Sequence, residues 1–312
     1  MELLSCPGVA EAEQRRVPYV LSCGGAVISL IVATVNRVTE LERLFASLEG
    51  QSYKDFEVLV VDQNADDRLL SVLGRHAGLR VRYLRSGKGL SRARNVALPH
   101  VMGDIVAFPD DDCWYPDDLL GSVNTWFDSH PGPAGLLTTL RDADGHTIGP
   151  RWPTVPRSCT KEDIGVLAIS PNGFLRRQAV QAIGCFNEGI GVGADTMYQS
   201  GEEFDYFVRP LALGMEIWYE PSLTVHHPNF HTLERMLAKT YTYSMGAGYV
   251  IRLHRLSPAY FAERVIRSVG GAVVHLSRGN LRVAYSYLLR TAGYLRGYFF
   301  GARDLGRETG SF

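Results

Sequence analysis

Segments rich in β-branched residues alternate with segments of helical periodicity in the first third of this 312-residue chain. The strand-like run "VISLIVATVNR" (27–37) precedes "TELERLFASLEGQ", where apolar residues recur at helical spacing. Thr39 is the predicted N-cap of that helix, and Gly50 is its predicted C-terminal stop. The strand-like segments "FEVLVVDQN", "LRVRYLRS" and "DIVAFPDDD" continue the alternation, with a helical segment before each of the last two. Such an alternation predicts an α/β fold with a doubly wound, mostly parallel sheet and flanking helices.

Polar residues follow each of the four predicted strands. In doubly wound sheets, ligands bind outside the carboxyl ends of the strands, and these ends meet at one edge. The four polar sets are therefore expected to line a single crevice: residues 34–36, 62–64, 86–89 and 110–112.

The last of these sets contains three consecutive carboxylates in the stretch "FPDDDCWYP". Unpaired carboxylates repel one another, and Asp110 and Asp112 can point to the same side of an extended chain. They could share a hard divalent cation such as Mg²⁺ or Mn²⁺, which completes its shell with diphosphate oxygens. The alternative is a solvated acidic loop without a ligand. The position at the end of a buried strand favours the metal and a nucleotide diphosphate.

The second half of the chain is less regular. Residues 130–200 are rich in Gly and Pro, and "GLLTTL" and "VLAISP" are predicted as weak strands. The segment "GEEFDYFVRPLALG" predicts a helix that begins at Glu202 and Glu203 and contains the unfavourable Pro210. A further strand, "EIWYEPSLTVHHPN", ends in His226 and His227.

The chain has three predicted parts: a leader (1–25), an α/β domain (26–230) and a basic amphipathic helical region (231–312). The last part holds 12 Lys and Arg against four acids, whereas the whole chain has a net charge of −1. Its two or three predicted helices could rest on an anionic membrane surface. Alternatively, they pack on the α/β domain with their arginines solvated or paired. No nucleic-acid recognition motif accompanies the charge, so no nucleic-acid partner is predicted.

The N-terminal segment lacks the basic start and the long apolar core of a signal peptide. The longest apolar run, "VISLIVATV", is too short to span a bilayer. We therefore expect a cytoplasmic protein, with contact to the inner face of the membrane as the alternative left open by the basic tail.

The ordered set of these segments resembles glycosyltransferase family 2, the inverting sugar transferases with a GT-A fold. The resemblance is carried by "VISLIVATVNR", "FEVLVVDQN", "GLSRARNVAL…GDIVAFPDDDCWYPDDLL", "GEEFDYFVRPLALG" and "YEPSLTVHH", and it covers roughly residues 26–230. Two positions depart from the family pattern. Ala33-Thr34-Val35-Asn36 stands where Pro-Thr-Tyr-Asn is usual, and Glu202-Glu203 stands for the usual Glu-Asp pair.

The resemblance implies roles for individual residues. Asp110 and Asp112 match the Asp-x-Asp metal motif, and His227 matches the histidine that completes the metal shell, with His226 as the alternative one position earlier. Glu203 matches the catalytic base, and Glu202 is its neighbour in the same motif. Asp62 is implied to bind the nucleobase, although it could equally cap the next turn. The nucleotide-binding positions implied are Ala33, Thr34, Asn36, Asp62, Lys88, Gly89, Arg94, Asp110 and Asp111.

The resemblance implies transfer of a sugar from a UDP-, dTDP- or GDP-sugar, with Mn²⁺ or Mg²⁺, to a glycan or lipid-linked acceptor in surface polysaccharide or glycolipid synthesis. Two other classes of protein fit the sequence less well. A nucleotidyltransferase that makes nucleotide-sugars would carry a Gly-rich, Lys-bearing loop after the first strand, and "VATVNRVTE" has none. A non-catalytic nucleotide-sugar-binding module would not need to keep Glu202, Glu203, Asp110 and Asp112 together.

Overall fold

The protein is described by a computed structural model that covers residues 26–149, 152–229 and 233–308. The predicted leader therefore lies outside the described residues. The chain forms two compact units. Among the described residues, the first unit comprises 26–88, 92–149, 152–186 and 209–229, and the second comprises 89–91, 187–208 and 233–308. The sequence-based division at residues 25 and 230 stays a prediction.

The first unit is built on a single eight-stranded sheet. The strands are β1 (Ile28–Thr34), β2 (Phe56–Asp62), β3 (Val81–Arg85), β4 (Ile105–Ala107), β5 (Gly135–Arg141), β6 (Arg157–Ser158), β7 (Gly173–Arg176) and β8 (Ile217–His226). Their order across the sheet is β3-β2-β1-β4-β7-β5-β8-β6. The pairs among β3, β2, β1 and β4 are parallel, whereas β7 is antiparallel to both β4 and β5. The predicted α/β class with a mostly parallel sheet is confirmed.

Helices connect and flank these strands. In chain order they are α1 (Thr39–Glu49), α2 (Leu70–Arg75), α3 (Leu90–Ala97), α4 (Leu119–Ser129), α5 (Lys161–Leu167), α6 (Arg177–Ile183), α7 (Glu202–Ala212), α8 (Leu233–Leu253), α9 (Pro258–Ser277) and α10 (Leu281–Glu308). The last three confirm the predicted C-terminal helices. None of the helices in the described part of the chain is both long and apolar enough to traverse a bilayer.

The core of the first unit follows from the strand and helix patterns read in the sequence. β2 is buried along its whole length, and α1 buries its four apolar residues at helical spacing: Leu41, Leu44, Phe45 and Leu48. Each such side chain contributes about 1.5–3 kcal/mol when it is fully removed from water. This packing fixes the strand ends from which the polar residues project.

Three local predictions had different outcomes. Gly50 closes α1 as predicted, but Thr39 is the first helical residue, and Val38 occupies the N-cap position without a side-chain hydrogen bond. "GLLTTL" forms β5 as predicted. The predicted strand "VLAISP" is wrong, because Val166 and Leu167 end α5, whose Thr160 forms a capping box with Asp163. That cap outweighs the strand preference of the apolar residues that follow it.

Candidate functional site

The carboxyl ends of β1, β2 and β3 lie side by side. Thr34 pairs in register with Asp62, and Asp62 pairs with Arg85. The Gln63 backbone N–H donates to the Thr34 carbonyl at 3.0 Å, and the Ser86 N–H donates to the Asp62 carbonyl at 3.0 Å. Since β4 pairs with the other side of β1, the residues after all four strands lie at one edge of the sheet.

Asp110, Asp112 and His227 converge at this edge. β8 ends beside the aspartates, and the His227 backbone N–H donates to the Arg141 carbonyl at 2.8 Å, which fixes the position of this histidine. Its Nε2 lies 3.1 Å from Asp112 Oδ1 and 3.8 Å from Asp110 Oδ2. One potential ligand atom from each of the three side chains lies within 4.8 Å of the others.

His226 takes a different position from His227. It forms a two-way backbone bridge with Trp114, and its ring stacks on the Trp114 ring with the centroids 5.3 Å apart. The Arg43 guanidinium lies 4.2 Å from the centroid of the Trp114 ring. Trp114 therefore connects the acidic loop to β8 and α1, and the geometry favours His227 over His226 as a ligand. Tyr115 is buried in the core.

Arg37 supplies positive charge opposite the acidic run, a role that the sequence reasoning missed. Its Nη1 lies 2.7 Å from Asp111 Oδ1 and 2.5 Å from Asp112 Oδ2. Arg37 comes three residues after β1, at the edge where the acids were expected to lie. A basic residue at the same edge as three carboxylates is a sequence signal from which this pairing could have been predicted.

The charges in this cluster shift one another's pKa values. Burial would raise the pKa of Asp112, but hydrogen bonding and charge from His227, together with the Arg37 charge, hold that pKa below its ordinary value. Burial would also lower the pKa of His227, but Asp112 and Asp110 raise it above its usual range. Burial raises the pKa of Asp111, an effect that the Arg37 charge and the Thr34 hydroxyl oppose. The Arg37 guanidinium thus partly neutralises Asp111 and Asp112, and the two aspartates next to His227 favour a proton on its ring.

The donor set suits a divalent cation of the Mg²⁺ or Mn²⁺ type. Two carboxylates and one imidazole offer the oxygen and nitrogen ligands that Mn²⁺ accepts. Asp112 is buried, whereas Asp110 and His227 keep 27% and 23% of their side chains exposed. The cluster is therefore open to solvent on the side of Asp110 and His227, where further ligands could bind a metal.

Arg94 lies next to the first of these carboxylates. It is almost fully buried, and its Nη2 lies 3.7 Å from Asp110 Oδ1 and 2.6 Å from the Ser170 hydroxyl. The rings of Phe108 and Phe186 flank its guanidinium at 5.7 and 5.2 Å. This burial fits a residue that braces the acidic loop better than one that leaves the surface to reach a ligand.

The predicted base-binding residue, Asp62, is fully buried and holds its own turn. Its Oδ1 accepts hydrogen bonds from the backbone N–H and the side-chain amide of Asn64, both at 2.7 Å. Its Oδ2 accepts from the Tyr83 hydroxyl at 2.7 Å. The turn-capping alternative is therefore observed, and contact with a nucleobase stays a prediction. The sequence reasoning did not single out Tyr83, since a tyrosine in a strand carries no motif.

The remaining predicted nucleotide positions of the first unit border the same edge. Ala33 lies in β1, and Thr34, the last residue of that strand, is buried. Asn36 adopts a left-handed conformation with φ of 58°, which asparagine tolerates better than most residues. Its backbone N–H donates to the Asn64 side chain at 2.8 Å. Lys88 is exposed.

Three predicted site residues, Gly89, Glu202 and Glu203, lie in the second unit. Gly89 has a φ of 124°, a conformation that favours glycine. Glu202 and Glu203 begin α7, as predicted. Glu202 is buried, and a Cβ added at Gly191 would lie 3.0 Å from its Cδ, so the 187–193 loop packs directly on Glu202. Glu203 is partly exposed and so is the more accessible carboxylate of the two.

A second group of potential metal ligands lies in the turn after β5. Asp142, Asp144 and His146 bring their ligand atoms within 4.8 Å. The Asp142 Oδ1 already accepts the backbone N–H groups of Asp144 and His146 at 3.1 and 2.8 Å. Because Asp144 and His146 are exposed and Asp142 serves the turn, we assign this group no ligand.

Comparison with known proteins shows that the chain is similar to glycosyltransferases. The model of the family described as "Glycosyl transferase family 2" matches residues 29–181. An "Uncharacterized glycosyltransferase" of Haemophilus influenzae is 26% identical over 246 residues, which is 73% of this chain and 76% of that protein. The "GalNAc(5)-diNAcBac-PP-undecaprenol beta-1,3-glucosyltransferase" of Campylobacter jejuni is 34% identical over 104 residues. That match spans only 31% of this chain and 32% of the relative.

The fold is also found among solved structures. The mannosyltransferase PcManGT from Pyrobaculum calidifontis, solved in complex with GDP-Man and Mn²⁺, superposes with a TM-score of 0.60 at 16% identity. The superposition covers 91% of each chain. At this identity, the likeness concerns the fold alone, which is of the GT-A type.

Proposed function

Because this chain belongs to glycosyl transferase family 2, we propose that it is an inverting, metal-dependent enzyme that uses a nucleotide-sugar. It moves a sugar from a UDP-, dTDP- or GDP-sugar to a hydroxyl group of a glycan or lipid-linked acceptor, in surface polysaccharide or glycolipid synthesis. The observation that carries this proposal is the convergence of Asp110, Asp112 and His227 at the carboxyl edge of the sheet.

Residues that follow the strands of the sheet bind the donor. Asp110, Asp112 and His227 would hold Mn²⁺ or Mg²⁺, and the metal would neutralise the charge of the leaving diphosphate. Arg37 holds Asp111 and Asp112 in place, and Arg94 supports Asp110 from the buried side. The nucleoside lies along the edge formed by Ala33, Thr34, Asn36 and Asp62, with Lys88 and Gly89 near the phosphates. The complex of PcManGT with GDP-Man and Mn²⁺ supports this pairing of ligands.

Glu203 acts as the general base. An alcohol is a weak nucleophile at neutral pH, so a carboxylate must take the proton from the acceptor hydroxyl as its oxygen attacks the anomeric carbon. The bond from that carbon to the diphosphate oxygen breaks as the new bond forms on the opposite face, which inverts the configuration. Glu203 lies in the first turn of α7, the end of a helix at which the dipole favours negative charge.

The acceptor is proposed from chemistry and from the named relatives. The name of the Campylobacter jejuni relative includes a diphosphate-linked undecaprenol, which is a lipid-linked acceptor. By analogy, a glycan or lipid-linked hydroxyl is the acceptor of this chain.

The test is a donor screen that follows release of the free nucleotide, with Mn²⁺, Mg²⁺ or EDTA present. We expect slow, metal-dependent hydrolysis of one donor, and we expect Asp112→Asn to reduce its rate about 100-fold or more, since the metal supplies several kcal/mol of charge stabilisation. Asp118→Asn is the matched control, because the exposed Asp118 lies on the same loop and its side chain makes no capping hydrogen bond. Equal rates for both variants, or hydrolysis that persists in EDTA, would contradict the proposed metal site.

A second pair of variants tests the base. Glu203→Gln should abolish transfer to an acceptor while it leaves donor binding intact, and Glu234→Gln, in the first turn of α8, is its control. Unchanged transfer by Glu203→Gln would remove Glu203 from the mechanism. Donor binding by the wild type without any release would favour the non-catalytic binding module instead.

A further inference from the structure

An apolar stripe runs along the exposed side of α10. The spacing of its members alternates between four and three residues, which keeps them on one face of the helix. They are 38–65% exposed, apart from the small Ala292, which is also exposed. The members are Leu281, Tyr285, Leu288, Ala292, Leu295 and Phe299.

A second stripe of the same kind runs along α9. Its four large members are 44–68% exposed and belong to a 20-residue helix. These are Ile266, Val269, Val273 and Leu276. Single exposed apolar residues are normal on protein surfaces, but two regular stripes on neighbouring helices are not.

Contacts between the helices show that the stripes face the same side. Phe261 of α9 stacks on Tyr298 of α10 at 3.9 Å, and His275 stacks on Tyr287 at 5.5 Å, so the two helices are antiparallel neighbours. Successive residues of an α-helix are about 100° apart around its axis. On each helix, the apolar stripe lies roughly 100–120° around the axis from the residues that contact the other helix. The rotation from contact to stripe has the same direction on both helices when each is viewed from its N-terminus. Because the helices run in opposite directions, that rotation turns both stripes to one side, which we call the α9–α10 face.

The α9–α10 face lies on the opposite side of α10 from α8. Gly293, Gly297 and Gly301 of α10 pack against α8, where added Cβ atoms would collide with backbone or ring atoms. These glycines lie about 160° around the helix from the α10 stripe. Within the second unit, α8 therefore covers one side of α10 and leaves the apolar side exposed.

The charges around the α9–α10 face are almost entirely positive. Residues 258–301 contain six arginines and one acid, Glu263, which pairs with Arg267 at 2.8 Å. Arg282 and Arg296 lie along the outer flank of the α10 stripe, and Arg278 lies in the turn between the helices. Arg296 also lies 5.2 Å from the ring centroid of Phe300, which is itself 44% exposed.

We propose that the α9–α10 face docks the enzyme on an anionic lipid surface. The apolar stripes enter the boundary between head groups and acyl chains, and the flanking arginines bind lipid phosphates, as in helices that lie in the plane of a membrane interface. A second copy of the chain fits less well. A two-fold interface brings the same patch together from both copies, and this patch has arginines on its flank but no unpaired acid to meet them.

Vesicle flotation tests this proposal without donor or metal, so its outcome is independent of the proposed reaction. The probes are vesicles of phosphatidylcholine alone and of phosphatidylcholine with phosphatidylglycerol. We expect the wild-type protein to float with the anionic vesicles, and more weakly as salt is raised. The double variant Val273→Asp with Leu288→Asp should bind at least about tenfold more weakly, because two carboxylates then face the lipid.

The matched control is Val155→Asp with Leu70→Asp, which makes the same two changes at positions 62% and 50% exposed in the first unit. It should float like the wild type. Arg282→Gln with Arg296→Gln should lose the preference for anionic over neutral vesicles. Equal binding by the two aspartate pairs would overturn the proposal. It would also be overturned by a wild type that ignores vesicles and sediments as a dimer that the Val273→Asp, Leu288→Asp variant dissociates.

Discussion

At the scale of single residues, the acidic run is held by countercharges that belong to the chain itself. Arg37 lies 2.7 Å from Asp111 and 2.5 Å from Asp112, and His227 lies 3.1 Å from Asp112, so both carboxylates have partners within the chain. A donor diphosphate bound with its cation would enter a site whose geometry is already fixed. Pre-organised electrostatics of this kind avoid reorganisation when the reaction occurs.

Tyr83 gives the most direct residue-scale prediction. Burial and the hydrogen bond to Asp62 raise its pKa to about 12, whereas a tyrosine in an unfolded chain has a pKa of about 10. The folded state therefore holds this proton more tightly. The stability that results is complete below pH 10 and is lost as the pH rises to about 12. Tyr83→Phe should lose less stability than the wild type over that range.

The measurement is urea unfolding of both proteins at pH 7 and at steps between about pH 10 and 12. At pH 7, the variant should be less stable by about 1–3 kcal/mol, because Asp62 loses a buried hydrogen-bond donor. Stability curves that run parallel through the alkaline range would show that Tyr83 does not titrate as the contact with Asp62 requires.

Some residues of the site could be predicted from the sequence, and others could not. Asp110 and Asp112 were readable because they directly follow a buried strand, and the end of a strand fixes the edge at which they lie. Tyr83 and Trp114 act through partners that are 21 and 112 residues away, Asp62 and His226. Pairings between distant residues depend on strand order, and one sequence contains no local signal for that order.

At the scale of elements, periodicity predicted the parallel half of the sheet better than the rest. β1, β2 and β4 are buried runs, β3 is a partly exposed edge strand, and all four alternate with helices, which favours a parallel arrangement. β7 and α6 lie in the irregular region and were not predicted. β7 is four residues long and antiparallel to both neighbours, so neither its length nor its connections gave a clear signal.

Glycines on α10 give an element-scale prediction. A Cβ at Gly297 would overlap the Met245 carbonyl oxygen and lie 2.8 Å from the Tyr249 nitrogen, both in the backbone of α8. Gly297→Ala must push the helices apart, and it should cost about 1–3 kcal/mol of unfolding free energy. Gly270→Ala on α9 has no neighbour within 4 Å and should instead stabilise the protein by about 0.5–1 kcal/mol.

Thermal or urea unfolding of the two variants and the wild type distinguishes packing from helix propensity. The change from Gly to Ala should lower the unfolding free energy at position 297 and raise it at position 270. If both glycine variants were more stable than the wild type, α8 and α10 would not approach as closely in solution as the backbone contacts at Gly297 require.

At the scale of the whole molecule, the two units carry different parts of the proposed chemistry. The sheet unit holds the predicted metal ligands, and the second unit holds the glutamate pair together with the helices that form the α9–α10 face. The family resemblance predicted the metal ligands of the sheet unit and the glutamate pair of the second unit. The α9–α10 face was not predicted as a defined surface, because the sequence gives the stripe on each helix but not which sides of two helices coincide.

Metal binding should stabilise the whole molecule through the sheet unit. A ligand that binds only the folded state adds about 2.7 kcal/mol at 100 times its dissociation constant, which raises the unfolding temperature by a few degrees. We expect Mn²⁺ alone to raise this temperature for the wild type and for Asp144→Asn, which alters the exposed ligand group after β5. Asp112→Asn should show no such rise, because it removes the buried carboxylate that contacts His227. If the rise in unfolding temperature persists in Asp112→Asn but disappears in Asp144→Asn, the cation binds in the exposed turn after β5. That result would contradict the metal site proposed for the donor.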